Sequence, residues 1–272
     1  MTQISAQIST SGPSAPGTLL RDWRRRRNVS QLDLAHRAGV SPRHVSFIET
    51  GRSRPTSAML LRLCDQLQVP LREQNRLLLA SGFAPAHPEL ALADPPLAQV
   101  SAAIDSILTA HLPWPALVVD AGWDLVLAND AVYGLLEDVD PGLLEPPVNV
   151  IRLSLDPSGL APRIVNLPEW RSHLLGRLRR EYDASGDRRL LELVGAYERP
   201  GDSEDHDPGE GVGSPGLVVP LVLRTDGADL SLLSATTVFG TTREVTLSEL
   251  AIETFYPADE ATRSRLAAGR GA

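Results

Sequence analysis

A chain of 272 residues, 42% apolar and 22% charged, is long enough for two globular domains and too apolar to remain unfolded. Its one cysteine, Cys64, excludes an internal disulfide framework and a cysteine-rich zinc site, and no apolar run reaches the roughly 18 residues that a membrane span needs. The net charge of −8 is unevenly divided: residues 19–82 carry twelve Arg against five acids (+7), and the remainder fourteen against twenty-nine (−15). A basic block joined to an acidic remainder suggests nucleic-acid binding at one end and a separate task at the other. With aromatics at only 4%, Leu, Val and Ala must fill most of the core.

Residues 1–17 are polar, rich in Ser, Thr, Gly and Pro, and lack the apolar stretch of a secretory signal. They read as a disordered tail, and the chain as cytoplasmic. Residues 18–83 form a series of short amphipathic runs. Leu19 to Arg27 is the first. Ser30 opens the second, with Asp33 three residues on as a capping-box variant, and Gly39 breaks it. Ser41 with Pro42 at the first helical position starts the third, which Gly51 ends. Thr56 or Ser57 starts a fourth, with Leu60, Leu61, Leu63, Cys64 and Leu67 at helical spacing, and Pro70 a fifth that ends near Ser81-Gly82. Residues 84–96 hold four prolines and read as a linker or hinge.

Beyond the linker, Leu97 to His111 has helical spacing. Pro115 to Asp120 and Trp123 to Ala128 are strand candidates around an Ala121-Gly122 turn. Asn129 or Asp130 can cap a helix through Leu136, and further helices are expected at 148–155, 169–180 and 187–197. Residues 199–215 read as a flexible loop. Three strands are expected after it, at 216–224, 229–240 and 244–256, the first two joined by an Asp226-Gly227 turn. The last is ambiguous, since Thr246 and Glu249 also fit a capping box; its neighbours favour strand.

In the basic block, Ala35 is small where two helices must approach, and Gly39 permits a left-handed turn. Val45 and Ile48, three apart, anchor the third helix and leave Pro42, Arg43, Ser46 and Phe47 outward, with His44 nearer the edge. The segment Ser30-Gln-Leu-Asp-Leu-Ala-His-Arg-Ala-Gly-Val-Ser-Pro-Arg-His-Val-Ser-Phe-Ile-Glu-Thr-Gly-Arg-Ser-Arg-Pro55 closely resembles the Cro/C1-type (Xre) helix-turn-helix family. The resemblance implies a five-helix domain binding double-stranded DNA through Ser41, Pro42, Arg43, His44, Ser46 and Phe47. Arg43 would suit guanine edges, Ser46 would be a short polar reader, and Phe47 would meet a thymine methyl or fill the core. Gln31 matches a position that bonds phosphate or base, and Arg52 and Arg54 suit phosphate. Within Arg24–Arg27, Arg24 is either a backbone contact or part of a solvated helix end. Glu49 reads as structural, closing a salt bridge or cap.

Residues 97–272 carry no Walker loop, no G-x-S-x-G, no H-E-x-x-H and no histidine pair at ligand spacing, so neither a catalytic residue nor a metal site nor a cofactor is assigned. The acidic loop around His206 could attract a cation, but a solvated charge run is the simpler reading. The order of elements suits a small antiparallel sheet covered by helices. Residues 115–131, 149–153, Glu169-Trp170, Leu178-Arg179 and 231–239 resemble the PAS-like ligand-binding domain of MmyB-like transcription regulators. That resemblance implies an overall α+β chain, a fatty-acid-like ligand and a homodimer. The candidate anchors for an acid group are Arg152 and Arg179. The simpler reading of Arg152 is a surface residue paired with Asp156 or Asp120, and that of Trp123 and Trp170 is core. The alternative for this domain is a ligand-free dimerisation or docking module.

Overall fold

The structure is a computed structural model and describes residues 15–199, 218–225 and 228–268. The expected tail up to residue 14, most of the expected loop 199–215 with His206, and the Asp226-Gly227 turn lie outside the described residues. The chain divides into two compact units, with the main boundary between Glu89 and Leu90; residues 243–245 group with the first unit.

The first unit is all helical: α1 (Pro16–Arg26), α2 (Gln31–Ala38), α3 (Pro42–Glu49), α4 (Ser57–Gln66) and α5 (Leu71–Ala80). Each start has a local cause. Pro16 and Pro42 occupy first-turn positions, where the missing N–H costs nothing. Ser30, Ser41 and Thr56 accept hydrogen bonds from the amides of Asp33, His44 and Met59. Gly39 closes α2 at φ 65°, the left-handed cap that sets the turn into α3. Leu20, Leu34, Val45, Leu60, Leu63, Leu77 and Leu78 are fully or almost fully buried in one core. Cys64 belongs to that core; burial, then the Asp65 charge, pushes its thiol up to about 12, so it acts as apolar filler.

Helix α1 begins inside the stretch read as tail. The reason is packing: a Cβ on Gly17 would lie 2.4 Å from the Ile48 carbonyl oxygen and 2.7 Å from that of Glu49. Only glycine lets the start of α1 approach the end of α3 so closely. Part of the Pro-rich 84–96 stretch is also held. The Asn75 side chain on α5 accepts from the Ala86 and His87 amides and donates to the His87 carbonyl.

The second unit is a five-stranded antiparallel sheet in the order β2-β1-β5-β4-β3, with helices on both faces, the expected PAS-like α+β arrangement. Its strands are β1 (Ala116–Val119), β2 (Leu125–Ala128), β3 (Leu221–Thr225), β4 (Ala228–Val238) and β5 (Ala251–Pro257). Strand β1 is buried throughout because its alternate residues serve two cores. Ala116 and Val118 join Ile104 and Leu108 of α6 (Ala98–Ala110) with Leu250 and Ile252. Leu117 and Val119 face the larger core, with α7 (Asp130–Tyr133), α8 (Val150–Leu155), α9 (Leu167–Ser185) and α10 (Arg188–Tyr197). A last helix, α12 (Glu260–Ala268), packs on β4 and β5.

The expected strand over 244–256 is two elements. Residues Val245–Glu249 form α11, which buries Val245 and Leu247, and only Ala251–Pro257 is strand. The helix is favoured because Leu247 and Leu250 fill the face that α6 covers. The expected strand at 216–224 begins at Leu221, and the expected helix at 148–155 begins at Val150, capped by the Asn149 side chain on the Arg152 amide.

Candidate DNA interface and ligand cavity

Helix α3 presents the face expected of it. Val45, Ile48 and Glu49 are buried, Ser41, Pro42 and Arg43 are exposed, and His44, Ser46 and Phe47 are half-buried. The Ser41 side chain caps the helix on the His44 amide. The Arg43 guanidinium lies 5.1 Å above the Phe47 ring, a cation–π contact that pre-orders two of the expected base readers on the helix surface. Arg52 and Arg54, just past α3, are exposed.

Arg24 and Gln31 are placed differently. Both converge on Glu49, whose side chain has no solvent exposure. Arg24 forks onto it, Nε to Oε1 at 2.6 Å and Nη2 to Oε2 at 2.9 Å, and Gln31 Nε2 donates to Oε2 at 2.7 Å. Arg21 donates to the Glu49 carbonyl, and Arg24 also donates to that of Val29. Burial pushes the Glu49 carboxyl up, but the Arg24 and Gln31 hydrogen bonds and the Arg24 charge outweigh it and hold the group below the ordinary carboxylate range. The Arg24 side chain, 12% exposed, is thus a strut that ties α1 to α3. Arg27 is another: it caps α4 through the Leu67 and Gln68 carbonyls. The structural reading of Glu49 and its salt bridge agrees with this geometry.

In the second unit a cavity opens between the sheet and the helices, with about 90 Å³ available to the centre of a water-sized sphere. That is space for several water molecules, each of which needs roughly 10–15 Å³ on this measure. The wall is overwhelmingly apolar and includes Leu117, Leu125, Val132, Leu136, Leu232 and Phe255. Trp123 and Trp170 are core residues, as expected, and line this cavity as well. Trp123 holds a left-handed backbone at φ 65°, a costly conformation for an aromatic residue. It is held in place by its ring, on which Arg177 stacks at 4.4 Å, and by its Nε1, which donates to Glu181 at 2.7 Å. Trp170 donates to the Ser154 hydroxyl and stacks on His173.

Neither expected anchor is on the wall. On α8, Ile151, Leu153, Ser154 and Leu155 are all buried and Arg152 takes the one exposed position. Arg179 turns away to pair with Glu198 at 2.7 Å. The arginine that reaches the cavity is Arg177. It grips Glu253 of β5 with two hydrogen bonds, of 2.6 and 3.1 Å, and Glu181 of α9 with one of 2.8 Å. Thr236 on β4 adds a hydrogen bond to Glu253. His173, one turn before Arg177, also lines the wall; burial, then the charges of Arg177 and Arg180, lower its pKa, which favours the neutral imidazole at neutral pH and above. The sequence does carry a signal for this group. Trp170, His173, Leu174, Arg177 and Glu181 recur at the three- and four-residue spacing of one helical stripe.

Among the described residues no group of His, Cys, Asp or Glu is arranged to hold a metal ion, and no helix is long and apolar enough to cross a membrane. Two family models match the chain: a helix-turn-helix over residues 20–74, and the MmyB-like transcription regulator ligand binding domain over 100–268. No curated protein matches. Among solved structures, the chain is similar to the clp gene regulator ClgR from Corynebacterium glutamicum, with 23% identity over 36% of this chain and 89% of that one and a TM-score of 0.23. It is also similar to an RNA-binding light-oxygen-voltage receptor, with 16% identity over 93% of this chain and 62% of that one and a TM-score of 0.26. Since the ligand-binding model alone spans more than half of the chain, and a helix-turn-helix precedes it, the chain belongs to the MmyB-like family of DNA-binding transcription regulators.

Proposed function

We propose that this regulator binds duplex DNA as a homodimer in the cytoplasm through α3, and that an elongated apolar, fatty-acid-like molecule in the second unit's cavity sets its affinity for DNA. Arg43, Ser46, Phe47, Pro42, His44 and the Ser41 end of α3 read the bases. Arg52 and Arg54 hold the phosphates. A single helix-turn-helix buries only about 600–1,000 Å² on DNA, so two copies on a repeated half-site supply the specificity.

The observation that carries the ligand reading is the cavity itself: an apolar wall with a few polar groups, bounded by a sheet and three helices, α7, α8 and α9. A ligand-free docking module has no use for such a void, which forgoes packing contacts. The test is to purify the chain, extract it with organic solvent, identify any apolar molecule released, and return it to the stripped protein. Stoichiometric recovery and rebinding are expected. Protein that carries nothing and takes up no straight-chain amphiphile would leave the second unit as a docking module.

A further inference from the structure

We propose that the cavity selects a chain with an uncharged polar head, such as an alcohol, amide or ester, and discriminates against the free carboxylate. This rests on the ligand reading above and specifies the chemistry of the same site.

The charges and donors on the wall set this preference. Arg177 is the cation that lines the cavity, and it already faces two carboxylates, Glu253 at 2.6 Å and Glu181 at 2.8 Å. On the wall itself the Arg177 charge is already neutralised by Glu253, so no cation is left over to meet an anionic head. Glu253 is itself on the wall, with a side chain only 4% exposed, so an entering anion would meet a like charge in a poorly solvated place. His173 supplies no compensating charge, being neutral for the reasons given above. The two expected counter-ions, Arg152 and Arg179, lie off the wall.

A neutral head fares differently. Arginine has five N–H groups, and Glu181 and Glu253 take three of those on Arg177, leaving two to donate to a carbonyl or hydroxyl oxygen. Neutral His173 offers one donor and one acceptor, and Ser234 adds a hydroxyl to the wall. Glu253 can accept from a hydroxyl or amide N–H. A neutral head finds partners for both its donors and its acceptors; a carboxylate, which only accepts, cannot use Glu253 and is repelled by it.

The experiment is quenching of tryptophan fluorescence in the full chain by dodecanol, dodecanamide and dodecanoate, at about pH 8, well above the ordinary carboxyl pKa. With no uncompensated cation to offset the desolvation of a carboxylate, the neutral ligands are expected to bind at least about tenfold more tightly than dodecanoate. Glu253→Gln frees the Arg177 charge to meet an anion, keeps an acceptor for Arg177, and should narrow that gap. The comparison on the unaltered protein stands even if this variant folds poorly. Dodecanoate binding as tightly as dodecanol would overturn this inference while leaving the ligand-sensing reading intact. If none of the three binds, the ligand reading fails and takes this inference with it.

Discussion

Replacing Arg24 by alanine should damage the fold of the first unit rather than weaken a DNA contact. The guanidinium is 12% exposed and forks onto a carboxylate with no solvent exposure, so its loss strands Glu49 in the core. Removing one partner of a buried pair costs about 3–5 kcal/mol. Here Gln31 still donates to Oε2 and Arg21 stands 3.6 Å away, so about 2–4 kcal/mol is the reasoned cost. For a domain of this size that corresponds to a midpoint roughly 10–30 °C lower. The pH dependence has a definite sign. In the native protein the Glu49 pKa is depressed, so its contribution is present above the unfolded-state value and is lost as pH falls through the folded one. In the variant, burial dominates and raises that pKa, so the penalty is present at neutral pH and is relieved on acidification. The stability gap must narrow as the pH falls into the carboxylate range. Amide hydrogen exchange resolved to residues 16–82, read alongside DNA binding, checks both statements. Unchanged protection together with uniformly weakened DNA binding would refute the strut assignment and return Arg24 to the phosphate backbone.

Other variants separate the remaining roles. Arg43→Ala should cost about 1–3 kcal/mol at one base position and relax specificity there, measured by binding to a panel of operator variants. Arg52→Ala should weaken binding to all sequences alike and lower the salt-dependence slope by about one, seen in a titration across ionic strength. In Gly17→Ala the new Cβ would lie 2.4 Å from a backbone oxygen of α3; a loss of about 1–3 kcal/mol in a melting experiment is expected, and a neutral result would show that α1 shifts freely. Val132→Phe should occupy part of the cavity, abolish ligand uptake and leave DNA affinity insensitive to added ligand, while the fold persists by circular dichroism.

The helix-turn-helix was legible because its determinants are local. Caps at Ser30, Ser41 and Thr56, the left-handed Gly39 and the Val45–Ile48 pair act within a few residues of themselves. The partner of Arg24 was not legible, because Glu49 lies 25 residues away and meets it only through the packing of α1 on α3. Arg152 misled for a related reason. A lone arginine in an apolar run can point into a cavity or away from it, and on the six-residue α8 it takes the one exposed position. Arg177 shares its helix with Arg171, Arg179 and Arg180; the stripe from Trp170 to Glu181 sets it apart in sequence, but its partner Glu253 is brought to it only by the position of β5. Strand β5 was legible in sequence but not its start, since α11 is decided by the apolar face that α6 covers.

Whether occupation of the cavity changes the affinity of the first unit for DNA is read from the dissociation constant for one operator, measured by fluorescence anisotropy on stripped protein and on the same protein refilled with its ligand. Ordinary coupling of about 1–3 kcal/mol predicts a change of about 5- to 150-fold, in one direction, that vanishes in Val132→Phe. Equal dissociation constants with the cavity demonstrably empty and demonstrably full would contradict the account.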